Sequence, residues 1–175
     1  MFYNVAQLMK EGVGATRDYY VDDEVSLPEE GLNNLHVKGP VHLLRTHRGI
    51  LVTARLMTSI QDECSRCLEP FTEDLALEIE EEYFPLIEVT TGASMPIPED
   101  AGPFRIDERH VLNLLEAARQ AVLLTKPLQP LCREGCRGLC PQCGGNILRG
   151  ECRCEEQIID PRWAALARMR KAANE

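Results

Sequence analysis

The chain has 175 residues, of which 44% are hydrophobic and 27% are charged, and its formal net charge is −9 at pH 7. A chain of this length and composition can bury one well-formed core, and its longest apolar runs fall far short of the ~20 residues that a membrane-spanning helix needs. Its N-terminus lacks a basic segment followed by an apolar block, so no secretion signal is expected and a cytoplasmic location is predicted.

The charge is distributed unevenly along the chain. Residues 132–175 contain eight Arg and Lys against six Asp and Glu, a net charge of +2, which leaves −11 for residues 1–131. Contacts with RNA phosphates depend on Lys and Arg that displace counterions. Any RNA contact is therefore expected in the C-terminal third, while the acidic part could simply maintain solubility.

The first half of the chain is predicted to be rich in strands. Residues 1–32 show weak periodicity and many turn residues, which predicts an irregular arm or one edge strand. Alternating apolar residues predict two long strands, one from Leu35 to Leu43 and one from Ile50 to Met57, joined by a short turn. Gly39-Pro40 interrupts the first strand and indicates a bulge or an edge position, because proline cannot donate to a ladder.

A third strand has an acidic face. Its apolar positions are Leu75, Leu77, Ile79 and Tyr83, and they alternate with Asp74, Glu78, Glu80 and Glu82. One face should therefore pack on the core, and the other should form an acidic surface in contact with solvent. Cys64-Ser-Arg-Cys67 lies in the turn before this strand.

A loop and an amphipathic helix follow. Residues 85–104 contain four prolines and two glycines with little periodicity, which predicts a mobile loop or an adaptable contact. A helix is predicted over residues 107–124, with Asp107 as its N-cap and Pro127 beyond its end. Its apolar stripe should pack against the sheet and consists of Val111, Leu112, Leu114, Leu115, Ala118 and Val122. His110 has no accompanying catalytic motif and is expected to be a surface or core residue at the helix start.

A short basic helix is predicted at the end of the chain. Asp160 as N-cap followed by Pro161 is typical of a helix start. The cations near its C-terminus could merely complement the helix dipole. Alternatively, this segment contacts nucleic acid or a partner protein through Arg162, Trp163, Arg168, Arg170 and Lys171.

The eight cysteines are the strongest chemical signal in the sequence. Six lie within residues 132–154, and Cys64 and Cys67 form a second close pair. In a reducing compartment, cysteines at such spacing more often bind metal or perform redox chemistry than form disulfides. Cys140-Pro-Gln-Cys143-Gly-Gly is typical of a zinc knuckle, in which turn amides donate to two thiolates. Because a tetrahedral ion needs four ligands, eight cysteines make two sets.

The sequence leaves more than one partition of these cysteines open. The favoured partition has a local site and a site that joins distant segments, namely Cys140, Cys143, Cys152 and Cys154 for the first and Cys64, Cys67, Cys132 and Cys136 for the second. The second site would tie the C-terminal segment to the sheet across a long loop. In a one-zinc alternative, four of the six C-terminal cysteines bind the ion, and Cys64 and Cys67 remain a thiol pair. The close spacing of Cys152 and Cys154 also leaves open that one of them is idle.

Three other kinds of site fit the spacing less well. A thioredoxin-type pair would stand at a helix N-terminus, whereas Cys67 leads into a strand. The ferredoxin run of three C-x-x-C steps is absent. A catalytic zinc needs an open position and usually has His or Glu ligands, and none of the four histidines lies in the cysteine-rich segment. Structural zinc without enzymatic activity is therefore predicted. A cytosolic thiol redox or metal-handling protein that uses Cys64 and Cys67 is the alternative.

Taken together, these motifs resemble the YceD family, bacterial and chloroplast proteins described as large ribosomal RNA subunit accumulation proteins. The resemblance runs in order over roughly residues 35–170. The segments that carry it are Cys64-Ser-Arg-Cys67-Leu-x-Pro-Phe, the amphipathic helix before a proline, the Cys-x3-Cys-x-Gly-Leu-Cys-Pro-x-Cys-Gly-x-Asn segment of residues 132–146, and Asp160-Pro-Arg-Trp-Ala-Ala-Leu166.

The resemblance implies a non-enzymatic factor that supports the synthesis, processing or stability of 23S ribosomal RNA in large-subunit assembly. Its partners would be precursor 23S RNA or large-subunit proteins, with no membrane and no small-molecule substrate. The predicted fold is α+β, with an antiparallel sheet packed by the amphipathic helix. Residues 1–131 would form this body, and residues 132–175 would form the zinc-binding segment and the short terminal helix.

Overall fold

A computed structural model describes residues 1–27, 32–99, 101–154, 161–163, 166 and 169. The strands are β1 (Phe2–Asn4), β2 (Thr16–Leu27), β3 (Leu32–Arg45), β4 (Ile50–Glu63), β5 (Pro70–Pro85), β6 (Arg105–Ile106) and β7 (Val111–Asn113). The α-helices are α1 (Ala6–Lys10) and α2 (Leu115–Thr125), and a 3-10 turn covers Pro161–Trp163. The strands form one seven-stranded sheet in the order β1-β7-β6-β5-β4-β3-β2, which curls into a half-barrel.

Four long antiparallel strands, β2 to β5, make up most of this sheet. Strands β4 and β5 pair without interruption from Ile50↔Tyr83 to Glu63↔Pro70. The predicted alternation in both strands is confirmed, since their inward positions are buried: Ile50, Val52, Ala54, Leu56, Leu75, Leu77, Ile79 and Tyr83. Burial of each large apolar side chain stabilises the sheet by about 1.5–3 kcal/mol, and the acidic side chains between them remain on the outer face.

The sequence expectation for Gly39-Pro40 is wrong in both of its alternatives. Strand β3 lies between β2 and β4, so it is not an edge strand. Its pairing with β4 has the same register on both sides of the interruption, at Lys38↔Met57 and Val41↔Ala54, so no residue is inserted as a bulge. The glycine serves instead for close approach, because a Cβ at Gly39 would lie 2.1 Å from the backbone oxygen of Arg55.

The N-terminal segment contains more structure than its weak periodicity indicates. The edge-strand alternative is confirmed for β2, which pairs with β3 at one end of the sheet. Before it, α1 buries Leu8 and Met9 in the main core. Strand β1 pairs with β7, and the backbone N–H of Val5 donates to the oxygen of His110 at 2.9 Å.

The predicted start of the amphipathic helix is also wrong. Residues Val111–Asn113 form β7 against β1, and the helix begins only at Leu115. Asp107 caps a turn instead, since its Oδ1 accepts hydrogen bonds from the backbone N–H groups of Arg109 and Val111. His110 lies in this turn with φ +58° rather than at a helix start. Pairing with a distant strand therefore outweighs local helical periodicity at this position.

The sheet is mixed, so the expectation of a purely antiparallel sheet is wrong as well. Strand β6 pairs with β5 in parallel, at Phe84↔Arg105 and Pro85↔Ile106. Helix α2 packs against β5, as predicted, and buries Ala117, Ala118, Ala121 and Val122. The main core is one continuous cluster of these residues and the inward face of the strands.

The described structure does not test several of the expectations from the sequence. The proposed boundary at residue 131 and the mobility of the 85–104 loop stay predictions. Asp160, Arg168, Arg170 and Lys171 lie outside the described residues, so the terminal basic helix stays a prediction too. Among the described residues, no helix has both the length and the apolar character that crossing a membrane requires.

Candidate metal centre

The turn between β4 and β5 presents the first pair of cysteines. The backbone N–H of Leu68 donates to the oxygen of Cys64 at 2.9 Å, and the N–H of Cys64 donates to the oxygen of Glu69 at 2.9 Å. Leu68 adopts φ +58°, which closes this tight turn. A left-handed backbone costs an ordinary side chain roughly 1–2 kcal/mol, so a favourable interaction elsewhere must maintain it. The turn brings both cysteine sulfurs to one buried point.

Residues 130–139 dock onto this turn. The backbone N–H and the hydroxyl of Ser65 both donate to the oxygen of Pro130, at 2.9 and 3.0 Å. The N–H of Leu139 donates to the oxygen of Arg66 at 3.2 Å, and Arg66 Nη1 donates to the oxygen of Cys136 at 2.9 Å. These contacts bring two further cysteines beside the first pair.

Cys64, Cys67, Cys132 and Cys136 form what we call the bridging quartet. All four sulfurs lie within 4.8 Å of one another. The distance from Cys64 Sγ to Cys136 Sγ is 3.7 Å, and that from Cys67 Sγ to Cys132 Sγ is 3.8 Å. A zinc ion that binds tetrahedral thiolates at about 2.3 Å separates its sulfur ligands by about 3.8 Å. The bridging quartet therefore has the dimensions of a closed zinc site.

Cys140, Cys143, Cys152 and Cys154 form the local quartet, whose sulfurs likewise all lie within 4.8 Å of one another. Its knuckle repeats the first turn, since the N–H of Gly144 donates to the oxygen of Cys140 at 2.8 Å. Gly144 adopts φ +71°, the conformation that Leu68 adopts in the first turn. Cys143 and Cys154 are exposed, whereas three cysteines of the bridging quartet are buried.

Within each quartet, the pKa values of the cysteines differ from one another. Hydrogen bonding from the backbone of Cys132 lowers the pKa of Cys64 to about 6, while burial raises the pKa of Cys132 to about 12. In the local quartet, the turn amide of Cys143 lowers the pKa of Cys140 to about 6, and hydrogen bonding with Cys143 raises the pKa of Cys154 to about 12. Each knuckle thus favours one thiolate, and a cation is needed to keep four thiolates together.

Three residues that sequence reasoning missed join the two quartets. The side-chain amide of Asn146, which is buried, donates to Glu69 Oε1 at 3.3 Å. Arg149 forms an ion pair with the same Glu69. The amide oxygen of Asn146 also accepts a hydrogen bond from the N–H of Leu148 at 3.0 Å. The position of Asn146 directly after the Gly-Gly of a knuckle was the one sequence signal for this link. Glu69 and Arg149 are 80 residues apart, so their ion pair could not be read from the sequence.

The structure brings together all eight predicted ligand cysteines in the favoured partition. The one-zinc alternative does not match this grouping, and both Cys152 and Cys154 belong to the local quartet. Of the predicted nucleic-acid or partner contacts, Arg162 and Trp163 are exposed. Arg168, Arg170 and Lys171 lie outside the described residues, so their role stays a prediction.

Comparison with known proteins identifies one family and several relatives. A family model described as large ribosomal RNA subunit accumulation protein YceD matches residues 52–170. Uncharacterized proteins of Mycobacterium bovis and Mycobacterium tuberculosis are each 34% identical to the chain over 122 residues, and one of Mycobacterium leprae is 28% identical over 123 residues. These alignments cover 69% of this chain and 52–56% of the relatives, so the chain spans about half the length of the proteins it matches. No solved structure matches the chain.

Proposed function

Because the chain belongs to the YceD family of large ribosomal RNA subunit accumulation proteins, we propose that it supports the accumulation of 23S ribosomal RNA during large-subunit assembly. The observation that carries this proposal is the family match over residues 52–170, which includes most of β4, all of β5 and α2, and all eight cysteines. Precursor 23S RNA or large-subunit proteins would be its partners. The relatives that it matches are named only as uncharacterized proteins, so the family carries the argument.

We propose further that the protein acts without catalysing a reaction and that both quartets bind structural zinc. Closed sites with four cysteine ligands leave no position for a reactive water, whereas catalytic zinc keeps one open. The bridging quartet would fasten the cysteine-rich segment to the β4–β5 turn, and the local quartet would shape that segment. The zinc ions would thereby stabilise the surface that a ribosomal partner contacts.

Elemental analysis of natively purified protein tests the metal. About two zinc ions per chain are expected, one for each set of four cysteines. A metallochromic dye should report the same stoichiometry when a thiol-reactive mercurial displaces the metal. One ion per chain would leave only one quartet as a zinc site. No metal, together with reversible oxidation of Cys64 and Cys67 at cytosolic potentials, would support the thiol-redox alternative instead.

Depletion in the source organism tests the role in RNA accumulation. Loss of the protein is expected to lower the ratio of 23S to 16S ribosomal RNA, because the large subunit fails to accumulate while the small subunit still forms. Quantification of both RNAs by capillary electrophoresis, with re-expression of the intact protein as the control, measures this effect. An unchanged ratio under complete depletion would contradict the proposed function.

A further inference from the structure

An open concavity of about 860 Å³ lies between the two quartets. Among the described residues, its lining includes Arg66 and Arg137, Gly135 and Ile147, and cysteines of both quartets, but no carboxylate. We propose that this concavity binds backbone phosphates of RNA through Arg66 and Arg137. This inference rests on the proposed function and names the surface of the protein that contacts the RNA.

Arg66 is held in place while most of its donors stay available. Its backbone oxygen accepts the N–H of Leu139, and its Nη1 donates to the oxygen of Cys136. A guanidinium group has five N–H donors in a planar fork that matches two phosphate oxygens. The hydrogen bond from Nη1 therefore fixes the orientation of the guanidinium group, and its other N–H donors stay available for a ligand.

Arg137 contributes a second guanidinium from the segment that docks onto the β4–β5 turn. It directly follows Cys136, is exposed, and forms no hydrogen bond or ion pair with the described residues. Gly138 comes next in the chain with φ +74°, and a Cβ there would lie 2.7 Å from the backbone oxygen of Arg66. This close approach places the two arginine-bearing backbones side by side, so a single stretch of RNA backbone can contact both guanidinium groups.

Long-range charge does not draw RNA to this side, so contacts at short range have to provide the affinity. The outer face of β5 presents exposed Glu78 and Glu80, which repel phosphates, whereas the concavity presents two arginines. The quartets oppose this preference, because a zinc ion with four thiolates carries a charge of about −2. The two quartets together outweigh the two arginines, so there is no net attraction at a distance. Binding depends on bidentate contacts at short range, for which arginine is better suited than lysine.

The competing explanation is that these arginines only balance the thiolate charge of the metal sites. The two explanations differ in what arginine removal changes. If the arginines only balance charge, their loss should weaken zinc retention and leave RNA affinity unchanged. If they bind phosphates, their loss should weaken RNA binding, reduce its salt dependence and leave zinc bound.

Filter binding of a labelled in vitro 23S ribosomal RNA transcript to the zinc-loaded protein, at several potassium chloride concentrations, tests the inference. Each lost phosphate contact reduces the slope of log affinity against log salt by about 0.7–0.9. R66Q/R137Q should therefore bind about 15- to 30-fold more weakly at 0.15 M salt. R137Q alone should show about half of the slope change seen in the double variant. Arg137 makes no contact with the described residues whose loss could unfold the segment.

K38Q/R55Q is the matched control, because it removes the same charge from the outer face of the sheet. It should keep the salt slope of the parent protein. Equal losses in both double variants, an unchanged slope in R66Q/R137Q, or no transcript binding by the parent protein would each overturn the inference. The proposed function fails separately, by an unchanged 23S to 16S ratio on depletion, so the two results can be told apart.

Discussion

With zinc bound to both quartets as proposed, the substitution Cys136→Ser is expected to remove one of the two ions and to detach residues 130–139 from the β4–β5 turn. A serine hydroxyl does not replace a thiolate as a zinc ligand, and Cys136 is one of the buried members of the bridging quartet. The remaining attachment of residues 130–139 is four hydrogen bonds among Ser65, Arg66, Pro130, Cys136 and Leu139, beside the contacts of Asn146 and Arg149 with Glu69. Such bonds contribute only about 0.5–1.5 kcal/mol each, whereas a structural zinc ion provides on the order of 10 kcal/mol of binding free energy.

The sheet itself should survive this substitution. Its core is a separate cluster from the small cluster around Cys64, Cys67 and Cys136. Hydrogen exchange should therefore show new exposure in the β4–β5 turn and residues 130–139, with β3, the first half of β4 and α2 still protected. Zinc content should fall from about two ions to about one.

Cys154→Ser is the matched control, because it removes one ligand of the local quartet at an exposed position. It should also release about one zinc ion. Protection of the β4–β5 turn should remain, since Ser65 and Arg66 keep their contacts and the bridging quartet is complete. If both variants opened the same segment, or if neither lost metal, the assignment of separate bridging and local sites would be wrong.

The parts of the fold that sequence predicted well are those with a strong local pattern. The period-two alternation from Ile50 to Met57 and from Leu75 to Tyr83 predicts strands whose pairing register buries one face. The two C-x-x-C knuckles and the division of eight cysteines into two sets also follow from spacing, although spacing left open which further cysteines join each knuckle. The alternation and the C-x-x-C spacing each involve only a few consecutive residues, so both can be recognised in a single sequence.

The parts that sequence missed depend on distant partners. Val111 and Leu112 fit a helical stripe, yet β1 offers them a strand ladder, and no local feature reveals that β1 is near. Strands β5 and β6 pair in parallel because the loop between them returns the chain to the same end of the sheet. The composition of that loop does not reveal its path. The link from Glu69 to Asn146 spans 77 residues, so only the folded chain shows that the two knuckles share it.

Gly39→Ala is expected to destabilise the sheet by about 4 kcal/mol, through overpacking and an unfavourable backbone conformation together. The new Cβ would lie 2.1 Å from the backbone oxygen of Arg55 and 3.0 Å from the Cα of Leu56. Both neighbours are backbone atoms of an interior strand, so a side-chain rotation cannot relieve the clash. Gly39 also has φ +151°, which an alanine rarely adopts.

Relief would require β4 to move away from β3, and β4 is held by continuous pairing with β5 from Ile50 to Glu63. Gly12→Ala is the matched control, because nothing lies within 4 Å of a Cβ there and its φ is not in the left-handed range. It should change stability by less than about 1 kcal/mol, in the stabilising direction if the unfolded chain loses freedom. Guanidinium denaturation of the zinc-loaded proteins compares the midpoints at constant m-value. Equal midpoints for the two variants would mean that β3 and β4 are not in close contact at Gly39. The edge or bulge position that the sequence indicates would then fit better than the close approach.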